Sequence, residues 1–169
     1  FNAPWSDAER EAFANRAGSE ANWYLMALGE RICCVYENGA IKTTTQGGQQ
    51  FVFVFSGTSF SAPQIAGAAA LLRQAFPNLT AAQTVDLLLR SARDAGATGS
   101  DAVYGRGILD IGNAFAPQGG TSLAGTSVAL ALADSTGATS PAMGDAGQAA
   151  SLHTVVLDGY GRAYGVNLS

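Results

Sequence analysis

A run of small and hydroxyl-bearing residues near the middle of the chain has the composition of a nucleophilic site. Its sequence is Ser56-Gly57-Thr58-Ser59-Phe60-Ser61-Ala62-Pro63. The apolar residues 51–55 before it predict a strand, and the Ala- and Leu-rich residues 65–76 after it predict a helix. A serine at the first turn of a helix lies beside unpaired backbone N–H groups and the positive end of the helix dipole. Negative charge developing beside Ser59 would be stabilised there, as the tetrahedral intermediate of acyl transfer requires.

The simpler interpretation is that Ser59 or Ser61 only caps the helix, because serine does so routinely. The length of the run favours chemistry over capping. Gly57 leaves room for a substrate backbone, and Pro63 suits the first turn of a helix.

An alternative catalytic triad consists of Ser59, Asp134 and His153, which follow the chain order of the triad in α/β-hydrolases. Two observations argue against it. Position 61 is serine where the Gly-x-Ser-x-Gly elbow of that class has glycine. His153 also lies beyond a Gly- and Ala-rich stretch, so we expect an ordinary strand or surface histidine.

The elements around the motif predict an α/β domain. The run at 51–55 has no polar alternation, which predicts burial on both faces within a parallel or mixed sheet covered by helices. The helix after the motif is apolar on all sides, so we expect it inside the protein, ending at Pro77. A second helix should begin at Thr80 with a capping box to Gln83. Asp110 should cap a short third helix.

Turn signals predict two hairpins. One joins residues 31–36 to 41–45 through Glu37-Asn38-Gly39, and the other lies within residues 152–168 around Asp158-Gly159. Residues 6–17 carry both helix and strand signals, and we leave the choice between them open.

Composition excludes several function classes. The chain has 169 residues, of which 47% are hydrophobic and 13% charged, and a formal net charge of -4. Without a basic cluster, nucleic acid is not an expected partner, and no apolar run is long enough to span a bilayer.

The adjacent Cys33 and Cys34 cannot build a disulfide framework. We predict two partly buried thiols there, with a bond between them or a bridge to another cysteine as alternatives. No metal-binding constellation is present.

Composition also divides the chain. Residues 1–116 hold the motif and its elements, and residues 117–150 are rich in Gly, Ala, Ser and Thr, which is typical of a linker or extension. One weak strand is predicted there at 128–133. Residues 151–169 form the hairpin tail.

The string from Gly57 to Pro63, followed by Gln64-Ile65-Ala66-Gly67, resembles the nucleophile signature of subtilisin-like serine proteases. Most members have histidine where this chain has Gln64. The resemblance covers about residues 5–116, including Leu25-Met26-Ala27-Leu28-Gly29-Glu30 and Tyr104-Gly105-Arg106-Gly107. It implies an α/β fold with a mostly parallel sheet and a buried helix after the nucleophile, incomplete in this chain, plus a β-rich C-terminal extension. It further implies Ser59 as nucleophile and oxyanion donor through its backbone N–H, with Gly57 and Thr58 bordering a polypeptide substrate.

The same resemblance exposes missing parts. Subtilases order their triad Asp, His, Ser, and an oxyanion Asn also precedes the serine. No histidine precedes Ser59, and we assign neither Asn2 nor Asn15 to the oxyanion hole. The chain also starts at Phe1 without an initiator Met. We therefore expect the later half of a serine endopeptidase domain, which has no activity by itself and needs a complementary half that carries Asp, His and the oxyanion Asn.

No cofactor is expected. Some subtilases bind calcium, but this sequence identifies no site for it. A non-catalytic binding or maturation partner on a degenerate subtilase scaffold is the alternative function.

The tail adds a second resemblance. Residues 155–164 are similar to the segment that follows the protease domain in autotransporter-type bacterial subtilases. That resemblance implies a location outside the cytoplasm of a Gram-negative bacterium, in the periplasm, at the cell surface or secreted.

Overall fold

The computed structural model describes residues 14–131 and 153–167. Most of the ambiguous stretch 6–17 and the whole of 132–152, with Asp134, lie outside the described residues. Three α-helices are formed within them: α1 (Ser61–Ala75), α2 (Ala81–Arg90) and α3 (Ile111–Phe115).

The predicted helix signals are confirmed. The Thr80 hydroxyl accepts from Gln83 N–H at 3.2 Å, and the Gln83 side chain accepts from Thr80 N–H at 2.9 Å, which completes the capping box. Asp110 Oδ1 accepts from Asn113 N–H at 2.9 Å and so caps α3. Two 3₁₀ segments, Gly18–Trp23 and Thr58–Phe60, complete the helical elements of the described part.

The strands of the described residues are short and pair antiparallel. Three two-stranded units precede α1, and a three-stranded unit follows α3. Their members are β1 (Ile32–Cys33) with β6 (Val54–Phe55), β2 (Tyr36–Glu37) with β3 (Ala40–Ile41), β4 (Thr43–Gln46) with β5 (Gln49–Val52), and β7 (Ser122–Leu123) with β8 (His153–Leu157) and β9 (Ala163–Asn167). The turn predicted at Asn38-Gly39 and the hairpin predicted around Asp158-Gly159 are confirmed. The arms predicted for the first hairpin are wrong, because β1 pairs with β6 and β4 pairs with β5 instead. The hairpin of β4 and β5, which turns at Gly47-Gly48, was not predicted.

The predicted burial of residues 51–55 is wrong. The five side chains remain 40 to 50% exposed. The run is split between β5 and β6, and no helix of the described residues covers it. The parallel sheet implied by the family resemblance is not formed by the described strands either. The one parallel pairing among the described residues is an isolated bridge outside the strands, between Met26 and Ile108.

The core lies where one face of each helix meets the others. Its buried members are Ala68, Leu72, Leu79, Leu87, Leu88 and Ala114. In α1 only Ala68 and Leu72 are buried, and Leu71 is 48% exposed, so the prediction that this helix is enclosed on all sides is wrong. The reason is geometric: α2 and α3 cover one face of α1, and no described element covers the opposite face.

Cys33 and Cys34 are joined to each other in a disulfide. This pairing corresponds to the alternative of a bond between neighbours, whereas the prediction was two partly buried thiols. That prediction assumed that both residues lie in one strand, where side chains alternate between faces. In the structure β1 ends at Cys33, so the alternation does not extend to Cys34.

The C-terminal hairpin packs against the helical core through Arg162, which is fully buried. Its guanidinium donates to the carbonyl oxygens of Ala114 at 2.6 Å and Ala116 at 2.8 Å, next to the end of α3. The guanidinium also lies 4.9 Å from the ring centre of Phe76, the residue that caps the C-terminal end of α1. The tail is therefore part of the same packed unit as the helices.

A polar turn surrounds this contact. Asp158 accepts from the backbone N–H groups of Gln118, Tyr160 and Arg162 at 2.9 to 3.0 Å. Burial opposes ionisation of Asp158, but these hydrogen bonds and the Arg162 side chain outweigh it and hold the pKa below its usual value. The Tyr160 hydroxyl donates to Asp86 at 2.6 Å, and burial together with this contact raises the pKa of Tyr160 to about 12.

Of the weak strand predicted at 128–133, the described residues form a single bridge, between Ala129 and Ser122.

Candidate active site

Ser59 occupies the middle of the 3₁₀ turn that leads directly into α1. The turn is closed by Phe60 N–H to the Gly57 carbonyl at 3.0 Å and by Ser61 N–H to the Thr58 carbonyl. Neither bond uses the Ser59 N–H. The Ser59 side chain is exposed, and no described residue forms a hydrogen bond with its Oγ. The hydroxyl predicted to be the nucleophile is therefore accessible.

The electrostatics of this turn favour an anion. Phe60 precedes α1, and no side chain of the described residues caps the first turn of that helix. Pro63 lies in the first turn, where its missing N–H costs no hydrogen bond. The N-terminal end of the 15-residue helix therefore directs its positive dipole end toward the turn that carries Ser59. The interpretation of Ser59 as a mere cap finds no support, since its side chain accepts no N–H of α1.

Gly57 and Thr58 adjoin the hydroxyl on its N-terminal side. A Cβ built on Gly57 would lie 3.4 Å from Ser59 Oγ and 3.6 Å from the Phe60 ring. A side chain at position 57 would therefore contact the hydroxyl. Thr58 is exposed. This placement agrees with the expectation that both residues border a substrate, which remains a prediction.

The turn rests on a neighbouring backbone segment, residues 27–29. Gly57 N–H donates to the Gly29 carbonyl at 2.7 Å, and Ser61 Oγ donates to the Ala27 carbonyl at 2.9 Å. A Cβ on Gly29 would lie 2.8 Å from Ser61 Oγ and 2.9 Å from the Gly57 carbonyl oxygen, so only glycine fits. Residues on both sides of Ser59 are thus fixed to one stretch of chain.

The approach to the turn is held separately. Ser56 Oγ accepts from Arg31 N–H at 3.1 Å, and the rings of Phe55 and Phe60 pack with their centres 6.3 Å apart. These contacts fix the direction in which the chain enters the turn from β6.

Segment 27–29 is itself anchored by the chain just before it. Met26 N–H donates to the Gly107 carbonyl at 2.9 Å, and Leu109 N–H donates to the Met26 carbonyl at 2.7 Å. Gly105, with φ of 65°, lets the chain pass close to Tyr24, whose carbonyl oxygen would lie 2.6 Å from a Cβ at that position. The Tyr104-Gly105-Arg106-Gly107 string therefore supports the segment on which the Ser59 turn rests.

The other candidate triad is not brought together among the described residues. His153 begins β8, where it pairs with Asn167, and no described contact joins it to Ser59. Asp134 lies outside the described residues. The hairpin that carries His153 packs on the C-terminal end of α1 through Arg162, whereas Ser59 precedes the N-terminal end of that helix.

Within residues 14–131 and 153–167, no group of three or more His, Cys, Asp or Glu is arranged to hold a metal ion. The helices of the described part include none that is both long and apolar enough to cross a membrane.

Comparison with known proteins decides the family. Residues 3–107 match the Subtilase family, Peptidase_S8, over more than half of the chain. The chain belongs to the subtilase family. The matched region includes the Ser59 turn, segment 27–29 and the Tyr104–Gly107 string.

Curated relatives of this subtilase chain come from several bacteria. It is 34% identical over 100 residues to serotype-specific antigen 1 of Mannheimia haemolytica, which covers 59% of the chain and 10% of the relative. It is 38% identical over 102 residues to the autotransporter lipoprotein NalP of Neisseria meningitidis. That match covers 60% of this chain and 8% of the relative. It is 39% identical over 86 residues to mycosin-1 of Mycobacterium tuberculosis, and that match covers 51% of this chain and 19% of the relative. The chain spans about a tenth of the length of the first two relatives.

The chain also aligns with a solved structure at a TM-score of 0.40. That structure is of the serine protease MycP1, described as an essential component of the type VII (ESX-1) secretion system. The alignment has 33% identity and covers 51% of this chain and 23% of that structure.

Sequence reasoning missed three residues of the site. Gly29, Ser61 and Gln64 fix the Ser59 turn to its neighbouring segment, and each lies within a string that resembles the subtilase pattern. The strings indicated that the residues belong to the motif, but not which backbone atoms they contact.

Proposed function

We propose that this chain carries the nucleophile of a serine endopeptidase, with Ser59 as the attacking residue. The exposed, unbonded hydroxyl of Ser59 at the N-terminal end of α1, in a chain of the subtilase family, is the observation that carries the proposal. Ser59 Oγ attacks the carbonyl carbon of a peptide bond, and its proton passes to a histidine. The Ser59 N–H and the helix dipole stabilise the negative charge on the carbonyl oxygen. Return of the proton to the leaving amine gives an acyl-enzyme, which water hydrolyses.

The base in this scheme comes from outside the described residues. An unactivated serine hydroxyl is a weak nucleophile near neutral pH, and no histidine precedes Ser59 in this sequence. We therefore propose that a complementary polypeptide segment supplies Asp, His and the oxyanion Asn. Gly57 and Thr58 border the polypeptide substrate, and no cofactor takes part.

The names of the relatives support a proposal about location. One is named an autotransporter lipoprotein and another belongs to the mycosins, so we propose that the chain acts outside the cytoplasm. Because mycobacterial proteins are among the relatives, they do not favour a Gram-negative source over others.

Active-site labelling tests the proposal. A fluorophosphonate probe should label the intact parent polypeptide at Ser59 and should leave this 169-residue chain unlabelled until the complementary segment is added. Ser59→Ala should abolish labelling, and the matched variant Ser19→Ala, which changes another exposed serine, should not. Labelling at another residue, or no labelling of the intact parent, would contradict the proposal.

The absence of labelling in an otherwise folded parent would favour the alternative, a non-catalytic binding or maturation partner on a subtilase scaffold. Ester hydrolysis by this chain alone, abolished by His153→Ala, would instead favour the Ser59/Asp134/His153 hydrolase.

A further inference from the structure

The carboxamide of Gln64 lies between two backbone carbonyls that belong to different parts of the site. Its Nε2 is 2.5 Å from the Leu28 carbonyl oxygen and 2.9 Å from the Phe60 carbonyl oxygen. Phe60 directly follows Ser59 in the 3₁₀ turn, and Leu28 lies in the facing segment 27–29. An NH₂ group has two hydrogens and can donate to both oxygens at once. One side chain therefore joins the nucleophile turn to the segment it rests on.

This contact is the central one of three. Three consecutive carbonyls of segment 27–29 each accept one hydrogen bond from residues near Ser59. The donors are Ser61 Oγ to Ala27, Gln64 Nε2 to Leu28 and Gly57 N–H to Gly29. The Ser61 and Gly57 contacts fix the chain after and before the turn. Among these three donors, only the Gln64 side chain also donates to a carbonyl of the turn, that of Phe60. A shift of the turn relative to segment 27–29 would lengthen at least one of its two bonds.

We propose that Gln64 is a positioning residue for Ser59. The inference rests on the proposed peptidase function. Gln64 acts through the carbonyls of Phe60 and Leu28, and it holds the turn so that Ser59 Oγ stays in line with the substrate carbonyl. Misplacement of a reacting group by about 1 Å can cost roughly a hundredfold in rate. An imidazole, which most subtilases have here by resemblance, carries one hydrogen on each donating nitrogen and so could serve only one of the two oxygens from a single atom.

The test measures bond formation separately from binding and folding. In the intact parent polypeptide, inactivation by a fluorophosphonate is followed at several probe concentrations, which resolves the probe affinity from the rate constant of phosphonylation. Each rate is divided by the number of active molecules, and the melting temperature of each variant is measured as well. The variants are Gln64→Met, which keeps the volume but removes both donors, and Gln64→His, which keeps one donor. Gln74→Met, at an exposed position of the same helix, is the matched control.

Gln64→Met should lower the rate constant of phosphonylation by about 10- to 100-fold with little change in probe affinity. Gln64→His should recover part of this loss, and Gln74→Met should match the wild type. A lower melting temperature with an unchanged rate constant per active molecule would overturn the proposal, because Gln64 would then only stabilise the fold. If Gln64→Met does not fold, a Gln64→His rate constant equal to that of the wild type would overturn it. Failure of the wild type to be labelled at Ser59 would instead contradict the proposed function.

Discussion

Arg162 and Asp158 form an ion pair that is entirely withdrawn from solvent. The Arg162 Nη2 and Asp158 Oδ2 atoms are 2.7 Å apart, and both side chains are 0% exposed. The pair lies in the turn of the last hairpin. Its guanidinium contacts two carbonyl oxygens at the C-terminal end of α3 and the Phe76 ring at the end of α1. The polar groups in this contact satisfy one another, which is the condition under which a buried charge pair is tolerated.

Arg162→Met should destabilise the protein by about 3–5 kcal/mol, because it leaves the Asp158 carboxylate buried without its partner. Two carbonyl oxygens also lose their donors. Arg90→Met is the control: the Arg90 and Asp86 side chains are 65% and 54% exposed and 3.7 Å apart, so its loss should cost less than about 1 kcal/mol. Urea denaturation measures both. Equal effects of the two substitutions would contradict the assignment of the hairpin to the packed core.

The stability of the protein should fall in acid through Asp158. Its pKa in the folded protein is lowered, so its ionised form favours folding. That contribution is present above the unfolded pKa of about 4 and is lost as the pH falls through the folded pKa. The difference in unfolding free energy between wild type and Asp158→Asn should therefore be constant near neutral pH and shrink below about pH 4. A difference that does not change down to pH 3 would refute the assignment.

Gly29→Ala should disrupt the active site, because the added Cβ would meet Ser61 Oγ at 2.8 Å and the Gly57 carbonyl oxygen at 2.9 Å. We expect reduced fluorophosphonate labelling of Ser59 in the parent polypeptide together with a lower melting temperature. Gly67→Ala is the matched control within α1. Nothing lies within 4 Å of its added Cβ, and alanine is favoured over glycine in a helix by about 1 kcal/mol. A Gly29→Ala protein with normal labelling would contradict the close contact.

Thr80→Ala should cost about 1 kcal/mol, since the hydroxyl that caps α2 is lost. Thr80→Ser keeps a hydroxyl at the same position and should lose much less. Thermal unfolding of the three proteins provides the measurement. A Thr80→Ser variant as unstable as Thr80→Ala would show that the methyl group, and not the cap, carries the effect.

Local signals were sufficient wherever the contacts that fix an element are close in sequence. The Thr80–Gln83 capping box, the Asp110 cap and the turns at Asn38-Gly39 and Asp158-Gly159 each depend on residues a few positions apart. The Ser59 motif could be located for the same reason, because strand, turn and helix follow one another without interruption.

Features that depend on distant chain segments could not be predicted. Arginine is rarely fully buried, so a hairpin turn gave no reason to expect Arg162 beneath the ring of Phe76 and beside the end of α3. The apolar run at 51–55 indicated burial, but burial also requires a covering layer, and the described residues supply none. The contacts of Gln64 likewise depend on segment 27–29, which lies 36 residues away from it at Leu28.

The exposure of the apolar run at 51–55 has a consequence for the solubility of the chain. It combines aromatic and β-branched residues with no charge, proline or glycine, the composition from which stacked β-aggregates grow. An isolated chain that presents this row to water should self-associate as its concentration rises, however well its helical core is folded. Recovery of soluble protein therefore depends on what shields these five side chains during synthesis.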